Sequence, residues 1–215
     1  MSFLSALQNT TTCIEEPFRH WEIEKPLSDG MLAEIVGTPI LNAPRAYDGT
    51  RAADAGGQGL DGKLRCYVGH DNVDQYPALG SMIDELMSRP TIEFVESMLG
   101  RSLDDCYLRF EIIADRQGFW LKPHKDIKEK VMSMLLYANP YDESEALGTD
   151  LYDGKLNRVK TMPYRHNFGY MFSPGDDTWH GLEKKEIQKE RRSVLVNYVT
   201  FKTDWKLPGR LRAAA

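Results

Sequence analysis

The segment Lys122-Pro123-His124-Lys125-Asp126 places a histidine and a carboxylate two residues apart. In an extended segment successive side chains point to opposite faces, so His124 and Asp126 share one face and could contact one metal ion. A second imidazole follows at His180, and an Arg-x-Ser segment comes after it at 191–193. Two histidines and one carboxylate with open coordination positions suit non-haem Fe(II), which must also bind oxygen and a co-substrate.

The chain around this segment, from Leu103 onward, reads as short strands separated by turn signals such as Asn139-Pro140 and Asp153-Gly154. The predicted strands are 107–113, 119–124, 131–137, 150–152, 168–172 and 191–201. Many short strands without intervening helices favour an antiparallel sandwich or barrel.

The part before Leu103 is predicted to be helical. Ser28 or Asp29 caps a short helix that ends at Gly37-Thr38-Pro39. Apolar residues recur at three- and four-residue steps over 77–99, and a proline divides this segment into two helices.

We therefore expect one integrated domain. Residues 1–102 would form a helical support with a lid-like loop, and residues 103–215 would form the β core. The loop at 42–63 is rich in Gly, Ala, Asp and Arg. Long loops of this kind are often lids or binding loops, and plain disorder is equally common.

The bulk composition excludes several classes of protein. The chain has 215 residues and a formal net charge of -5, which argues against a nucleic-acid binder that relies on a basic field. No apolar run approaches the roughly 20 residues of a membrane helix, and no secretory signal is recognisable. The three cysteines are widely spaced, so we expect free thiols in a cytoplasmic protein.

The strand at 191–201 raises the question of what Arg191 binds. Arg191, Ser193, Leu195 and Asn197 alternate along it and share one face. An arginine that points inward among apolar residues is costly unless it has an anionic partner. A bound dicarboxylate could be that partner through a bidentate contact, and an internal Asp or Glu is the alternative.

Five short motifs in order resemble the Fe(II)- and 2-oxoglutarate-dependent dioxygenases, particularly the prolyl-hydroxylase-like branch, over about half the chain. The motifs are His-Lys-Asp at 124–126, Met-Leu-Leu-Tyr-Ala-Asn at 134–139, Gly-Thr-Asp-Leu-Tyr at 148–152, the run from Phe172 to Gly181, and Arg-Arg-Ser at 191–193. The resemblance implies a mainly β fold with flanking helices, the double-stranded β-helix, also called a jelly roll and cupin-like.

The resemblance also implies roles for individual residues. His124, Asp126 and His180 would be the Fe(II) ligands. Arg191 would bind the distal carboxylate of 2-oxoglutarate with the help of Ser193, and O2 would take the remaining position on the metal. Tyr137 matches the tyrosine of the family's Tyr-x-Asn segment, which can donate to the same carboxylate.

The chain departs from the family pattern at two places, and a third position bears on the type of reaction. The glycine pair that precedes the family's wall strand is Gly148-Thr149 here, and Ala114 lies near the place of the family's tyrosine ahead of the first ligand. Asp126 occupies the position where related halogenases have Gly or Ala and bind chloride. Hydroxylation is therefore favoured over halogenation.

Residues that could contact the substrate lie beside these motifs, although a core or surface role is an equal alternative for most of them. They are Arg109, Trp120, Lys122, Leu151, Trp179 and Asn197. By contrast, His20, His70 and His166 have no partners at metal-ligand spacing and are interpreted as ordinary histidines.

Three functions remain open at this point. The chain could hydroxylate an unactivated C–H of a small molecule, such as an amino acid or a natural-product intermediate, with release of succinate and CO2. It could instead act on a protein side chain such as a prolyl residue. A third possibility is a cupin-like protein whose metal does no redox chemistry, although such a protein does not need an inward arginine.

Overall fold

The computed structural model of the protein describes residues 2–40, 48–50 and 64–209. Within these residues no helix has both the length and the apolar character needed to cross a membrane.

Four α-helices lie in the first half of the described chain. They are α1 (Phe3–Thr10), α2 (Asp29–Gly37), α3 (Pro77–Met87) and α4 (Arg89–Leu99). The Ser28 side chain accepts a hydrogen bond from the backbone N–H of Met31 and caps α2. Gly100 ends α4 in the left-handed conformation at φ 66°, which glycine adopts without a steric penalty.

The larger of the two sheets is antiparallel and has eight strands among the described residues. Its strand order is β1-β2-β9-β6-β11-β4-β12, and β3 also pairs with β4. The strands are β1 (Thr11–Ile14), β2 (His20–Glu24), β3 (Leu64–Tyr67), β4 (Tyr107–Arg116), β6 (Lys130–Tyr137), β9 (Phe168–Phe172), β11 (Glu190–Val199) and β12 (Trp205–Lys206).

The smaller sheet has four strands among the described residues, in the order β5-β10-β7-β8. These strands are β5 (Leu121–His124), β7 (Asp150–Tyr152), β8 (Arg158–Thr161) and β10 (His180–Leu182). All of its strand pairs are antiparallel.

The two faces of β11 separate the helices from the interior of the β-structure. Val194, Val196 and Tyr198 belong to the apolar cluster that includes the helices, and the Tyr198 hydroxyl donates to the carbonyl of Leu86 at 2.7 Å. Leu195, on the opposite face, packs against a second cluster, which joins the two sheets. The residues that alternate with Val194 therefore face the space between the sheets.

The prediction of a mainly β fold with flanking helices is confirmed. All six predicted strands are present within a few residues of their predicted ends, as are the helices at 29–37 and 77–99. The sequence did not predict the short strands β8, β10 and β12, nor strands β1, β2 and β3 from the first 102 residues, which join the large sheet. The N-terminal part is therefore more than a helical support, because it widens the sheet on both sides of the central strands β6 and β11.

Candidate metal and co-substrate site

His124 and His180 come together because β5 and β10 are neighbours in the small sheet. His124 is the last residue of β5, His180 is the first of β10, and the two are directly opposite in the antiparallel register. Opposite residues in such a pair point to the same face. The two imidazole rings consequently lie with their centroids 4.4 Å apart.

Each imidazole is oriented by a backbone carbonyl two residues before it. His124 Nδ1 lies 2.8 Å from the Lys122 oxygen, and His180 Nδ1 lies 3.0 Å from the Thr178 oxygen. Because a carbonyl only accepts, each Nδ1 must carry the proton. In the neutral form of each ring the lone pair is therefore on Nε2, which is the atom that can bind a metal.

Asp126 completes the set from the turn that follows β5. Its Oδ2 accepts a hydrogen bond of 2.5 Å from the Ser133 hydroxyl, and its Oδ1 accepts one of 2.8 Å from the Lys130 ammonium. Burial raises the pKa of Asp126, but the Lys130 ammonium and His180 outweigh burial and hold the pKa well below its usual range. Asp126 is therefore ionised and could act as a metal ligand.

The three side chains form a group that can hold one metal ion. One ligand atom from each of His124, Asp126 and His180 lies within 4.8 Å of the others. Two neutral imidazoles and one carboxylate leave positions open on an octahedral ion, the arrangement typical of non-haem Fe(II) sites. The donor set thus fits Fe(II).

A cavity of about 170 Å³ opens beside this group, between the two sheets. Arg191 and Thr149 line one part of it, and Arg65, Arg109 and Glu111 line another. Its apolar walls are Phe119, Leu121, Leu135, Tyr170, Phe172, Leu182 and Leu195.

Arg191 lies in this cavity wall and is paired with a carboxylate of the protein. It is 3% exposed, and it stands opposite Asp115 in the register of β11 and β4. Its NH1 group donates to Asp115 Oδ2, and its Nε donates to the Leu147 carbonyl at 2.6 Å. Burial by itself would lower the pKa of Arg191. The charge of Asp115 acts in the opposite direction, and the net result is a pKa above the ordinary value. The internal partner considered for Arg191 is thus present.

Hydroxyl groups surround the guanidinium of Arg191. The Thr149 hydroxyl lies 3.4 Å from its NH2 group and 3.0 Å from the Tyr137 hydroxyl. The Ser193 hydroxyl is fully buried and has no hydrogen-bond partner among the described residues. Burial raises the pKa of Tyr170 well above its ordinary value, so this hydroxyl stays protonated and can donate.

The two predicted helpers of Arg191 are therefore placed differently. Ser193 shares the inward face of β11 with Arg191, and its free hydroxyl can take a further partner. Tyr137 is buried behind Thr149, whose backbone N–H also donates to the Tyr137 hydroxyl at 3.0 Å. Neither Ser193 nor Tyr137 is among the residues that line the cavity. The predicted contact of Tyr137 with the co-substrate would have to pass through Thr149 or follow a movement of that residue.

The predicted substrate residues divide into two groups. Arg109 and Trp120 line the cavity, whereas the other four do not. The Lys122 carbonyl accepts from His124, and Leu151 is a core residue opposite His180 in the small sheet. Trp179 lies beneath the Lys125 ammonium, and Asn197 bonds to Ser133.

Several site residues were missed from the sequence. Lys130 and Ser133 contact Asp126, and Thr149 and Tyr170 lie near Arg191 in the cavity wall. The other missed residues come from β3 and β4 and are Arg65, Glu111 and Asp115. Only Glu111 carried a usable signal, because it alternates with Arg109 along the predicted strand 107–113 and so shares its face. Asp115 lies beyond the predicted end of that strand, which in the structure continues to Arg116.

The predicted lid at 42–63 lies mostly outside the described residues, which include only 48–50 of it. These three residues line the cavity. The Gly49 carbonyl accepts a hydrogen bond of 3.0 Å from the backbone N–H of Lys122. Gly49 has φ 76°, and a Cβ there would lie 2.6 Å from the Trp120 ring, so only glycine permits this close approach.

No protein-family model and no curated protein matches this chain, whereas solved structures match it over nearly its whole length. A prolyl hydroxylase from Trichoplax adhaerens, solved with a peptide fragment of hypoxia inducible factor, has a TM-score of 0.58 at 14% identity and covers 92% of this chain and 87% of its own. A 2OG-Fe(II) oxygenase family oxidoreductase from Burkholderia pseudomallei has a TM-score of 0.56 at 10% identity, with 93% and 89% covered.

A third structure is the non-heme alpha ketoglutarate dependent epimerase of nogalamycin biosynthesis. It has a TM-score of 0.50 at 12% identity and covers 92% of this chain and 81% of its own. Likeness at this level of identity concerns the backbone. The chain therefore has the double-stranded β-helix fold that these 2-oxoglutarate and Fe(II) oxygenases share.

Proposed function

We propose that this protein is an oxygenase that depends on Fe(II) and 2-oxoglutarate. The observation that carries the proposal is the convergence of His124, Asp126 and His180 beside a cavity whose wall contains the buried Arg191. A cupin-like protein that only binds metal would need no such arginine next to its metal group. The shared fold supports the same proposal.

The chain's own residues would prepare the metal. The carbonyls of Lys122 and Thr178 would select, for both neutral imidazoles, the tautomer whose Nε2 can bind the metal. Asp126 is ionised, so a divalent ion displaces no proton from it. When bound, Fe(II) together with 2-oxoglutarate and O2 would supply the oxidising power, with succinate and CO2 as products.

The surroundings of Arg191 fit one carboxylate of 2-oxoglutarate. The guanidinium already shares its charge with Asp115, so hydroxyl donors from Ser193 and Tyr170 would have to contribute to binding. The Ser193 hydroxyl is buried and has no hydrogen-bond partner among the described residues, so a carboxylate that reached it would remove the free-energy cost of leaving it unpaired.

The remaining cavity wall would orient the substrate and exclude water. Phe172 contacts the His180 ring edge-on at 5.2 Å between centroids, and Tyr170 stacks next to Phe172. Trp120 and Gly49 border the cavity from the other side. An apolar wall next to the metal keeps bulk water away from the reacting C–H.

We favour a small molecule, such as an amino acid or a natural-product intermediate, as the compound that is hydroxylated. The small cavity volume and the presence of residues 48–50 in its wall support this choice. A peptide is the alternative. An apolar groove lined by Tyr67, Phe201 and Trp205 adjoins the cavity at Arg109 and could receive an extended chain.

The proposal is tested by measuring succinate formed from 2-oxoglutarate by the purified protein with Fe(II) and air. Free amino acids and a proline-containing peptide are added separately, to separate the two substrate classes. His180→Ala should abolish turnover. His166→Ala, which changes an exposed histidine, should not. The proposal is wrong if the metal-loaded protein neither binds 2-oxoglutarate nor forms succinate with any addition.

A further inference from the structure

A hydrogen-bond chain leads from β11 through β6 to the predicted metal ligand Asp126. Ser133 and Asn197 are directly opposite in the register of these two central strands and point to the inward face. The amide Nδ2 of Asn197 lies 3.0 Å from the Ser133 oxygen, and that hydroxyl lies 2.5 Å from Asp126 Oδ2. Both residues are at most 3% exposed.

The direction of this chain is fixed by chemistry. An ionised carboxylate has no proton to give, so the single hydroxyl proton of Ser133 goes to Asp126. The Ser133 oxygen must then accept from Asn197. The same Nδ2 group faces the Met132 carbonyl at 3.3 Å. If the amide of Asn197 were turned by about 180°, its oxygen would face the Met132 carbonyl and the Ser133 oxygen, which both act as acceptors here. The orientation with Nδ2 toward these two oxygens is therefore the one that forms hydrogen bonds.

Ser133 and Lys130 contact different oxygens of Asp126. Ser133 is held in the middle of β6 and takes Oδ2, whereas the Lys130 side chain reaches Oδ1 from the start of the strand. Of the two partners, Lys130 is the one that can move away, because its ammonium is carried on a flexible four-carbon chain, whereas Ser133 is held within the strand. A metal ion could therefore take the place of the Lys130 ammonium at Oδ1 without disturbing the Ser133 contact.

Asn197 lowers the stability of the fold in a way that a role in packing alone does not explain. Asn197 is fully buried, and its Oδ1 has no hydrogen-bond partner within the part of the chain that the structure describes. A buried acceptor left unpaired destabilises the fold relative to an apolar side chain of similar shape. A residue selected only for packing at this position would be apolar, as Val194 and Val196 are on the other face of the strand.

We infer that Ser133 and Asn197 are positioning residues, which hold the carboxylate of Asp126 so that it binds the metal through Oδ1. This inference rests on the proposed function, because it takes Asp126 to be a metal ligand. Partners of this kind typically change metal affinity by 10- to 100-fold when they are removed.

The first experiment is a calorimetric titration of the metal-free protein with Co(II), which needs no catalytic turnover. Ser133→Ala should weaken Co(II) binding by about 10- to 100-fold. Ser133→Thr keeps a hydroxyl donor and should restore most of the affinity. Thr91→Val removes a buried hydroxyl from helix α4 whose partner is Ser88 and not Asp126, so its Co(II) affinity should equal that of the unmodified protein.

The second experiment separates positioning from structure. Asn197→Leu removes the unpaired buried oxygen, so the metal-free protein should be at least as stable to denaturant as the unmodified one. Its Co(II) affinity should nevertheless fall, because Ser133 loses the donor that fixes its rotation. A purely structural residue would show loss of stability and loss of affinity together.

The outcomes distinguish the inference from the proposed function. Unchanged Co(II) affinity in folded Ser133→Ala would overturn the inference and leave the function standing. Loss of stability in step with loss of affinity in Asn197→Leu would also overturn it. If the unmodified protein binds no Co(II), and His124→Ala makes no difference, the metal site itself is wrong.

Discussion

At the scale of single residues, the proposal gives Arg191 a second partner. Its guanidinium is paired with Asp115, and the same group is proposed to receive a carboxylate of 2-oxoglutarate. Removing one partner of a buried ion pair leaves an uncompensated charge. The effect of an Arg191 variant on co-substrate binding therefore has to be separated from its effect on stability.

Paired variants make that separation. Arg191→Ala should lose 2-oxoglutarate binding and about 3–5 kcal/mol in the free energy of unfolding, because Asp115 remains buried without its cation. Arg191→Met combined with Asp115→Leu should regain most of the stability and still fail to bind 2-oxoglutarate. Chemical denaturation and calorimetric titration measure the two effects. Normal 2-oxoglutarate binding by the stable double variant would remove Arg191 from the site.

At the scale of secondary-structure elements, the turn into β7 depends on a glycine. A Cβ at Gly148 would lie 1.4 Å from the backbone oxygen of Met162, a distance that no small adjustment relieves. Thr149, which follows it, holds Tyr137 and approaches Arg191. The turn therefore fixes the hydroxyl groups at one end of the cavity.

Glycine-to-alanine substitutions test this requirement. Gly148→Ala should strongly destabilise the protein, because the backbone of the neighbouring segment has to move. Gly37→Ala is the matched control. A Cβ there meets nothing within 4 Å at the end of helix α2, so it should stabilise the protein by about 0.4–1 kcal/mol. Denaturant unfolding of both variants gives the two values, and equal stabilities would contradict the packing described for the turn.

Strand β2 contains a histidine that makes stability depend on pH. His20 is fully buried, its Nδ1 lies 2.8 Å from the Phe18 carbonyl, and its Nε2 faces Lys160 at 3.5 Å and Glu22 at 3.9 Å. Burial lowers the pKa of His20 below 6.5, with a smaller effect from Lys160. The unfolded chain thus takes up this proton at a higher pH than the folded chain does.

The expected result is a loss of stability as the pH falls below about 6.5, because the unfolded state then binds the proton first. His20→Asn keeps a side-chain donor for the Phe18 carbonyl and has no titrating group. Its free energy of unfolding should decline less between pH 7 and pH 5 than that of the unmodified protein, as followed by denaturant unfolding. Parallel declines would show that His20 is not protonated differently in the two states.

At the scale of the whole molecule, the sequence misses the short strands β8, β10 and β12 but predicts the other strands from 103 onward, because each of those six has a local signal. The same is true of His124 and Asp126, which are two residues apart in one extended segment. Strands β1 and β2 escape such reasoning, since their place at the edge of the large sheet depends on pairing with β9, more than a hundred residues away.

The sequence did not predict the residues around the metal group either, because their contacts also depend on how the strands are placed in the fold. Ser133 approaches Asp126 only because β6 passes beneath the turn after β5, and Asp115 meets Arg191 only through the register of β4 with β11. Neither contact leaves a pattern in the sequence. Local spacing therefore predicts which residues could bind a metal, whereas the fold decides which residues hold them in place.

The most direct test of the proposed site is an anaerobic absorbance titration of the metal-free protein with Fe(II) and 2-oxoglutarate. A visible charge-transfer band should develop in the unmodified protein and in His166→Ala, because the co-substrate chelates the bound metal. The band should be absent in His124→Ala. If calorimetry shows bound Fe(II) but the unmodified protein develops no band, the metal does not bind 2-oxoglutarate, and the cupin-like alternative without redox chemistry is correct.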